Sequence, residues 1–488
     1  MQAFALNALD LAMHRGATYA DVRVTERQTA VLSVKDGQPD RVTTTEEAGF
    51  GIRVLAEGAW GFAASSDFRP EATAATVDRA LALARASAQV QAELLRLPAR
   101  PGEEGVYRTP LEQDPFAVPV ETKLALLISC SEAMQRRAAV RVAQAHMNFF
   151  RERKWFVCSE GSRQEQIIVE SGGGVTATAV GQDGVFQQRS FENHAQAGYE
   201  FIIELGLPAH AERCADEAEA LLTAPPCPSG IRSVILGSYM LALQIHESCG
   251  HPVELDRVLG SEASFAGTSF LIPEELGVLQ YGSPLVNITA DATLPRGLGT
   301  FGWDDEGSPA ERFPIIERGR FVNYLTSRET AWWLASSYRH TTPVPPLPFS
   351  NGTMRADGWG RLPLIRMTNI SLEPGESTLD ALLADTEDGL FLDTPKSWSL
   401  DDKRLNFHFG TEVAYEIKRG KLGRLLRDAS YTGMTPRFWN SCDAICSADH
   451  WQLWGLPSCA KGEPWQIAHV AHGAAPARFR GVQVHGAT

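Results

Sequence analysis

Two patterns of hydrophobic and polar residues divide the first 225 positions of the chain. Apolar residues recur at helical spacing in four segments, residues 1–15, 71–96, 120–138 and 211–222. Between these segments apolar and polar residues alternate, which is typical of half-buried strands. A proline-rich stretch over residues 97–119 predicts a linker or a crossover. The order of helix, strands, helix and strands predicts an N-terminal α+β domain over residues 1–225.

The pattern changes after the proline-rich segment 224–230, which we take as the boundary before a second domain over residues 226–488. Short alternating runs separated by glycine dominate from there on. Beyond a first helix over residues 239–249, helices are expected only near 328–337 and 377–385. Alternating runs of this kind are typical of antiparallel sheets. The predicted fold class is α+β, with a helix/sheet domain followed by a mostly antiparallel, β-rich C-terminal domain.

A histidine–glutamate–histidine motif ends the first helix of the C-terminal domain, for which Ser238 is the predicted N-cap. Imidazole nitrogen is a good zinc ligand. A glutamate beside the first ligand can accept a proton from water at the metal, as in the shorter zinc-protease motif H-E-x-x-H. His246 and His251 are therefore candidate metal ligands, and Glu247 is a candidate general base.

The spacing of the two histidines is one residue longer than in that shorter motif. Residues five apart lie about 140° apart around a regular α-helix, so His246 and His251 cannot face one ion from a straight helix. Gly250 permits unusual backbone angles, and Pro252 disfavours the helical conformation at the residue before it. We therefore expect the helix to end near Cys249, with His251 turned back from the first non-helical turn.

Two histidines do not complete a zinc site, so a third protein ligand must come from another part of the chain. With 12 histidines, 8 cysteines and 59 acidic residues, the candidates are many. The alternative interpretation is that His246 and His251 are ordinary helix-end histidines that bind no metal, because short motifs often match by chance.

Composition narrows the classes of function. A net charge of −14 argues against direct contact with nucleic acid or with anionic membranes. No run of 18 apolar residues predicts a membrane-spanning helix, and the N-terminus lacks the basic start of a signal peptide. The eight cysteines show no disulfide spacing, which favours a reduced, cytoplasmic chain.

Four short blocks of sequence resemble one known family. They are HESCGH at residues 246–251, WDDEG at 303–307, PLIRMTN at 363–369 and SCAKG at 458–462. In this order they are similar to the TldD branch of the TldD/PmbA family of metalloproteases, once called modulators of DNA gyrase. The PmbA (TldE) branch lacks the metal motif, so the resemblance puts this chain on the catalytic side.

The resemblance implies a site and an assembly. His246, His251 and Cys459 are expected to hold one zinc ion per chain, with Glu247 as the catalytic base. A two-domain α+β architecture and a dimer are also implied, formed either with a TldE/PmbA-like paralogue or with a second copy. Two departures stand out: residues 253–257 replace a glycine-rich and acidic stretch, and Cys459-Ala460-Lys461 replaces Cys-Gly-Lys. The first bears on substrate preference, and the second on the backbone around the cysteine.

Other residues have competing interpretations. Asp304, Asp305, Arg366 and Asn369 are candidate substrate-binding residues, although a solvated turn or pairing within a sheet explains them equally well. His408 is a candidate for stabilising the tetrahedral oxyanion, although the aromatic group around it is more typical of a core. A further set could bind a second metal or could supply small apolar side chains on a helical turn. That set is Cys442, Cys446 and His450.

These patterns predict a zinc metallopeptidase that hydrolyses peptide bonds in unfolded or short peptides, for example in peptide maturation or leader removal. Two alternatives stay open, namely a non-proteolytic regulatory or binding subunit and a metal-dependent amidase acting on modified peptides. The expected partners are a peptide substrate and a second subunit, with no nucleic acid and no membrane.

Overall fold

The N-terminal half is built on one large, mainly antiparallel sheet. The computed structural model of the protein describes residues 1–91, 94–95 and 97–486. The strands of the first half are β1 (Tyr19–Lys35), β2 (Gln38–Ala56), β3 (Ala59–Ser65), β4 (Glu104–Arg108), β5 (Val140–Cys158), β6 (Arg163–Val180) and β7 (Phe186–Ala195). Its helices are α1 (Gln2–His14), α2 (Pro70–Ala88), α3 (Val120–Gln135), α4 (Glu200–Glu204) and α5 (Leu207–Thr223).

The sheet has the order β3-β2-β1-β5-β6-β4, and β7 pairs with β6. Its central strands are long enough to carry two separate apolar clusters. Helices α1 and α2 cover one cluster, and α3 and α5 cover the other. The alternation of small and β-branched residues along the strands supplies the inner face of each cluster. The predicted helix/sheet architecture of this half is confirmed.

Two details differ from the sequence prediction. The helix expected over residues 71–96 ends at Ala88, and residues 92, 93 and 96 lie outside the described part. Beyond the helix, the NH of Leu95 donates to the carbonyl of Gly58 at 2.8 Å, which holds Leu95 beside the β2–β3 turn. The proline-rich stretch 97–119 carries the short strand β4, which pairs in parallel with β6 at the edge of the sheet.

The C-terminal half contains most of the strands. They are β8 (Gly230–Leu236), β9 (Ile288–Asp291), β10 (Arg312–Glu317), β11 (Arg320–Phe321), β12 (Met354–Arg355), β13 (Leu364–Ile365), β14 (Asn369–Leu372), β15 (Asp388–Leu400), β16 (Asn406–Lys418), β17 (Lys421–Leu426), β18 (Ser430–Met434), β19 (Cys442–Ile445), β20 (Gln452–Lys461), β21 (Gln466–Ala474) and β22 (Ala477–His485). Its α-helices are α6 (Ser238–Ile245), α7 (Leu255–Val258), α8 (Arg328–Tyr338), α9 (Leu379–Ala384) and α10 (Thr435–Asn440).

Two sheets organise this half. One has the order β11-β10-β9-β14-β21-β20, and the other has the order β15-β8-β22-β18-β16-β17 with β19 beside β22. Most neighbours are antiparallel; β14–β21 and β15–β8 are parallel. The predicted β-rich, mostly antiparallel character is therefore confirmed. The largest apolar cluster of the described residues fills the space around these strands and helix α6.

Helix α6 packs against strands of both sheets, and all its residues except Tyr239 are buried. Its N-cap is Gly237, so the prediction of Ser238 as the cap is wrong. The Ser238 hydroxyl instead donates to Gln452 Oε1 on β20 at 2.8 Å. A helix buried on all sides needs this kind of tertiary anchor. Among the described residues, no helix combines the length and the apolarity that crossing a bilayer requires.

Candidate metal centre

The segment after α6 stays helical but changes its hydrogen-bond period. Residues His246–Gly250 form a π-helical turn, and His251–Val253 form a 3₁₀ turn. The prediction that the helix breaks near Cys249 is wrong, because His251 itself has helical angles of φ −66° and ψ −40°. A π-turn bonds residue i to residue i+5, so residues five apart lie nearly one above the other. The wider turn therefore solves the spacing problem of His246 and His251 without a break.

Gly250 is required for close packing and not for unusual backbone angles. Its φ of −56° and ψ of −58° are ordinary helical values, so the reason assigned to it from the sequence is wrong. A Cβ atom at this position would lie 2.1 Å from the sulfur of Met367. Only glycine lets the π-turn approach the strand-like segment that carries Met367.

Three predicted ligands converge on one point. One donor atom each from His246, His251 and Cys459 lies within 4.8 Å of the others, and this is the one such group of at least three His, Cys, Asp or Glu residues among those the structure describes. The two imidazole rings are nearly perpendicular, with centroids 4.8 Å apart. His251 Nε2 and Cys459 Sγ are 3.8 Å apart. Cys459 enters on β20 beside an irregularity in the β20–β21 register.

A relay of hydrogen bonds orients the first imidazole. His472 Nδ1 lies 2.8 Å from the carbonyl oxygen of Ile370, and this oxygen can only accept. His472 Nε2 must then accept the proton of His246 Nδ1, at 2.7 Å. His246 Nε2 is left with a free lone pair. Burial lowers the pKa of both imidazoles, so they are neutral at pH 7, which is the form that binds metals.

The second imidazole is oriented by a carboxylate. His251 Nδ1 donates to Glu254 Oε2 at 3.0 Å, which leaves Nε2 facing Cys459. Burial lowers the pKa of His251 well below its usual value. A carboxylate behind a ligating histidine is the usual support of a zinc-bound imidazole.

The surroundings of Cys459 favour the deprotonated form of its thiol. Burial raises the pKa of Cys459, but His251 and the guanidinium of Arg366 outweigh that effect and hold it below its ordinary value. Arg366 Nη2 donates to the sulfur of Cys459 at 3.2 Å and to the backbone carbonyl of Cys459 at 2.5 Å. Two neutral imidazoles and one thiolate are a donor set that suits zinc, and three protein ligands leave a fourth position open. The residues present therefore fit the ion that the motif implies.

A buried ionic network supports Glu254 from behind. Lys461 is fully buried, and its Nζ lies 2.7 Å from Asp256, 3.4 Å from Glu254 and 3.6 Å from Glu262. Arg257 pairs with Glu262 at 2.9 Å. Three carboxylates face two cations, so one negative charge remains for the NH of His251. Residues 253–257, which differ from the family pattern, supply Glu254, Asp256 and Arg257 to this network. Its lysine comes from the block that contains Cys459.

Glu247 has one partner that the sequence did not reveal. Arg404 Nη1 donates to Glu247 Oε2 at 2.6 Å. Arg404 lies in the turn between β15 and β16, 157 residues away in sequence. A single arginine in a turn carries no motif, so only the folded chain could identify it. His472 was missed for the same reason.

Three of the five candidate substrate residues have other roles in the fold. Asp304 accepts the backbone NH groups of Glu306, Ser308 and Met354, which shapes its own turn. Asp305 pairs with Lys154 at 2.7 Å and with Arg23 at 3.5 Å, both in the N-terminal half of the chain. Asn369 is buried and holds the NH of Gly299 at 2.8 Å and the carbonyl of Asp291 at 2.7 Å.

The other two candidates, Arg366 and His408, lie in different environments. Arg366 is buried behind Cys459, where Nη1 donates to the carbonyl of Gln466 and Nη2 to the carbonyl of Cys459. His408 is exposed on β16, with its ring parallel to that of His485 at a centroid distance of 5.9 Å. The structure therefore brings His246, Glu247, His251 and Cys459 together, with Arg366 behind the sulfur of Cys459. The contacts described for Asp304, Asp305, Asn369 and His408 are with other parts of the fold.

The second cysteine group is not a metal site in the described residues. Cys442 and Cys446 belong to different apolar clusters, and Cys442 begins strand β19, so the predicted helical turn is wrong. Burial raises the pKa of Cys442 to about 12 and that of Cys446 to about 11, so both are neutral thiols. His450 Nε2 accepts the NH of Leu379 at 3.4 Å.

Comparison with protein families covers most of the chain. Models described as PmbA/TldA metallopeptidase domain 1, central domain and C-terminal domain match residues 20–84, 113–222 and 229–486. All three models are described as domains of a metallopeptidase family. The chain belongs to the PmbA/TldD family.

Individual relatives agree with this assignment. The metalloprotease MJ0996 of Methanocaldococcus jannaschii is 29% identical, with 85% of this chain and 86% of that protein covered. A protein named zinc metalloprotease TldD homolog, from Saccharolobus solfataricus, is 24% identical over 53% of this chain and 52% of its own length. The crystal structure of TldE from Thermococcus kodakarensis shares the fold, with a TM-score of 0.76, 16% identity and coverage of 99% and 100%.

Proposed function

We propose that this protein is a zinc-dependent metallopeptidase of the TldD catalytic type. One observation carries the proposal: two correctly oriented neutral imidazoles and a low-pKa thiol converge beside a glutamate. The names of the related proteins support a protease, and one of those names specifies zinc. His246, His251 and Cys459 hold one zinc ion per chain in this proposal, and Glu247 is the catalytic base.

Zinc bound at this position supplies a Lewis acid that polarises a peptide carbonyl and makes a water molecule more acidic. Glu247 accepts a proton from the attacking water and later delivers it to the leaving amine. Arg404 occupies Oε2 of Glu247, and Oε1, which accepts no hydrogen bond from the described residues, takes that proton. His472 and Glu254 keep the ligand nitrogens aimed at the site.

The proposed substrates are unfolded or short peptides, as in peptide maturation or leader removal. His246, Glu247, His251 and Cys459 are each only 4–5% exposed. A folded protein surface cannot bring a peptide bond to atoms buried to this degree, whereas an extended chain can. The proposed location is the cytoplasm, where buried thiols such as Cys459 stay reduced.

We propose a dimer, formed either with a TldE/PmbA-like paralogue or with a second copy. Several large apolar side chains are exposed, including Ile231 (73%), Leu347 (73%), Phe349 (67%) and Trp465 (60%), and such groups are often covered in an assembly. Light scattering on the chain alone and co-expressed with a paralogue from the same genome tests this. A monomer of 53.3 kDa in both samples would contradict it.

The central test combines metal analysis with peptide cleavage. We expect about one zinc per chain, cleavage of an unfolded protein such as casein, and loss of cleavage with a chelator. Glu247→Gln is expected to keep zinc and to lower kcat by about 10²–10⁴-fold, the usual contribution of a general base. Glu376→Gln, at an exposed position, is the matched control.

Each contrary result has a defined meaning. Full cleavage by Glu247→Gln would remove the role assigned to this glutamate. Zinc without peptide cleavage would favour an amidase acting on modified peptides. A chain that takes up no zinc under any condition would favour a non-proteolytic binding subunit.

A further inference from the structure

We infer that Arg404 is a further catalytic residue, whose guanidinium donates hydrogen bonds to the carbonyl oxygen of the scissile peptide bond as negative charge develops on it. The inference rests on the proposed function, because it assigns a role within the same site. It replaces the expectation for His408, whose side chain is exposed on β16.

Arg404 lies beside the proposed catalytic base. Its Nη1 lies 2.6 Å from Glu247 Oε2, so its charge sits beside the group that handles the proton of water. The Arg404 side chain is 18% exposed, whereas that of Glu247 is 7% exposed, so the arginine lies on the more accessible side of the pair.

Not all hydrogen-bond donors of Arg404 are used within the described part of the chain. A guanidinium carries five N–H groups in a fixed planar arrangement. One Nη1 proton is used on Glu247, while Nε is buried and has no hydrogen-bond partner in the part of the chain that the structure describes. A buried donor without a partner costs free energy unless a ligand satisfies it. A carbonyl oxygen that becomes anionic is the acceptor such a donor suits best.

Hydrogen bonds hold the turn that carries Arg404. Arg404 has a left-handed φ of 62°, and the side chain of Asp401 accepts the NH groups of Leu405 and Asn406 across the turn. Thr435 Oγ1 donates to the carbonyl of Arg404 at 3.1 Å. The backbone NH groups of two further residues bond the turn from the other side, namely Thr268 to Asp402 and Phe270 to Lys403. A donor held this firmly needs little reorganisation when charge appears.

The reaction can be written with every atom and electron pair assigned. The water oxygen bonds to the carbonyl carbon as one of its protons passes to Glu247, and the π electrons of the C=O bond move onto its oxygen. Arg404 donates hydrogen bonds to that oxygen and keeps its own protons, because a guanidinium is not deprotonated in proteins. The oxygen lone pair then restores C=O, the C–N bond breaks, and the leaving nitrogen takes the proton from Glu247.

The test compares Arg404→Met and Arg404→Lys with Lys403→Met. Lys403 is exposed in the same turn, so its variant loses the same charge without touching Glu247. We expect Arg404→Met to lower kcat by about 10²–10³-fold, the effect of removing one oxyanion donor, with KM within about threefold and zinc content unchanged. Arg404→Lys, which restores one donor, is expected to recover part of kcat.

A binding measurement separates this role from a structural one. A phosphinic peptide mimics the tetrahedral anion, whereas a matched peptide bound to Glu247→Gln mimics the ground state. Arg404→Met is expected to weaken phosphinic-peptide binding by about the factor lost in kcat/KM and to leave matched-peptide binding on the Glu247→Gln background unchanged. Equal losses for both ligands, a rise in KM alone, or loss of zinc would each overturn the inference.

Failure of the proposed function would look different. A wild-type protein that binds zinc but cleaves no peptide refutes the peptidase proposal before any Arg404 variant is made. Should Arg404→Met fail to fold, Arg404→Lys decides: unchanged kcat and unchanged phosphinic-peptide affinity in a folded Lys variant would overturn the role of Arg404 alone.

Discussion

At the scale of single residues, the candidate metal centre depends on side chains that never touch the metal position. Ile370 fixes the tautomer of His472, and His472 fixes that of His246. Glu254 does the same for His251. Each step removes one rotational or tautomeric alternative, so the ligand nitrogens are aimed before an ion arrives. This is why residues without an obvious motif carry measurable consequences.

Replacing His472 is expected to weaken zinc binding without unfolding the protein. His472→Ala leaves the NH of His246 Nδ1 buried without an acceptor, so the imidazole can turn away. We expect a loss of about 10–100-fold in zinc affinity, measured by competition with a chromogenic chelator. His472→Asn, which retains an acceptor, should lose less, and equal affinities for wild type and His472→Ala would contradict the relay.

Replacing Lys461 is expected to destabilise the fold. Lys461→Met fills nearly the same volume but leaves Glu254, Asp256 and Glu262 facing one another, with Arg257 as the one remaining cation among the described residues. Breaking a buried ionic network from one side costs about 3–5 kcal/mol of unfolding free energy. Thermal unfolding measures it, with Lys421→Met at an exposed position of β17 as the control. A variant as stable as wild type would show that the network is not required.

At the scale of secondary-structure elements, the π-turn decides the geometry of the site. The α6 helix delivers His246, and one wider turn brings His251 to the same face. The donor residues were visible in the sequence, but the way the backbone presents them was not. A glycine followed two positions later by proline favoured a break, whereas contact with Met367 favours a continuous, widened helix.

The contact between Gly250 and Met367 is testable by a double-mutant cycle. Gly250→Ala forces a Cβ against the Met367 sulfur and is expected to cost about 1–3 kcal/mol of unfolding free energy by overpacking. Met367→Ala removes the obstacle, so the double variant should be less destabilised than the sum of the single ones by about 0.5–3 kcal/mol. Gly360→Ala, where a Cβ meets nothing within 4 Å, is the control. Additive effects would contradict the close contact.

At the scale of the whole molecule, the block WDDEG joins the N-terminal and C-terminal halves of the chain. Asp305 pairs with Lys154 and Arg23, and Glu306 pairs with Arg53 at 3.0 Å, all from the N-terminal sheet. Trp303 Nε1 donates to Glu103 at 2.8 Å. A conspicuous acidic motif therefore serves the contact between the two halves of the chain, and the substrate role expected for it from the sequence gains no support from these contacts.

The ion pairs of Asp305 predict a pH-dependent contribution to stability. Burial raises the pKa of Asp305, but Lys154 and Arg23 lower it more, so the folded-state pKa lies below the unfolded value of about 3.9. A depressed carboxyl pKa stabilises the fold fully above the unfolded value, and this contribution is lost as the pH falls through the folded one. Asp305→Asn is therefore expected to lower stability equally at pH 7 and pH 5.

Thermal unfolding of Asp305→Asn and wild type at pH 7, 5 and 3 measures this effect. The destabilisation at neutral pH should be about 3–5 kcal/mol, since two buried cations lose their partner, and it should shrink toward pH 3. Asp380→Asn, at an exposed position on α9, is the control. A difference that stays constant down to pH 3 would contradict the assignment.

The sequence by itself determined the helix and strand layers, the β-rich second half and the two candidate imidazole donors, whereas Cys459 was expected only from the family resemblance. It could do so because periodicity and ligand chemistry are local properties of neighbouring residues. Only the tertiary structure decided how His246 and His251 share a face, that Cys459 reaches them, and that Arg404 and His472 lie against the site. Those outcomes depend on contacts between residues 100 or more positions apart, such as the 157 positions between Glu247 and Arg404. No local pattern encodes which distant strand or turn will pack there.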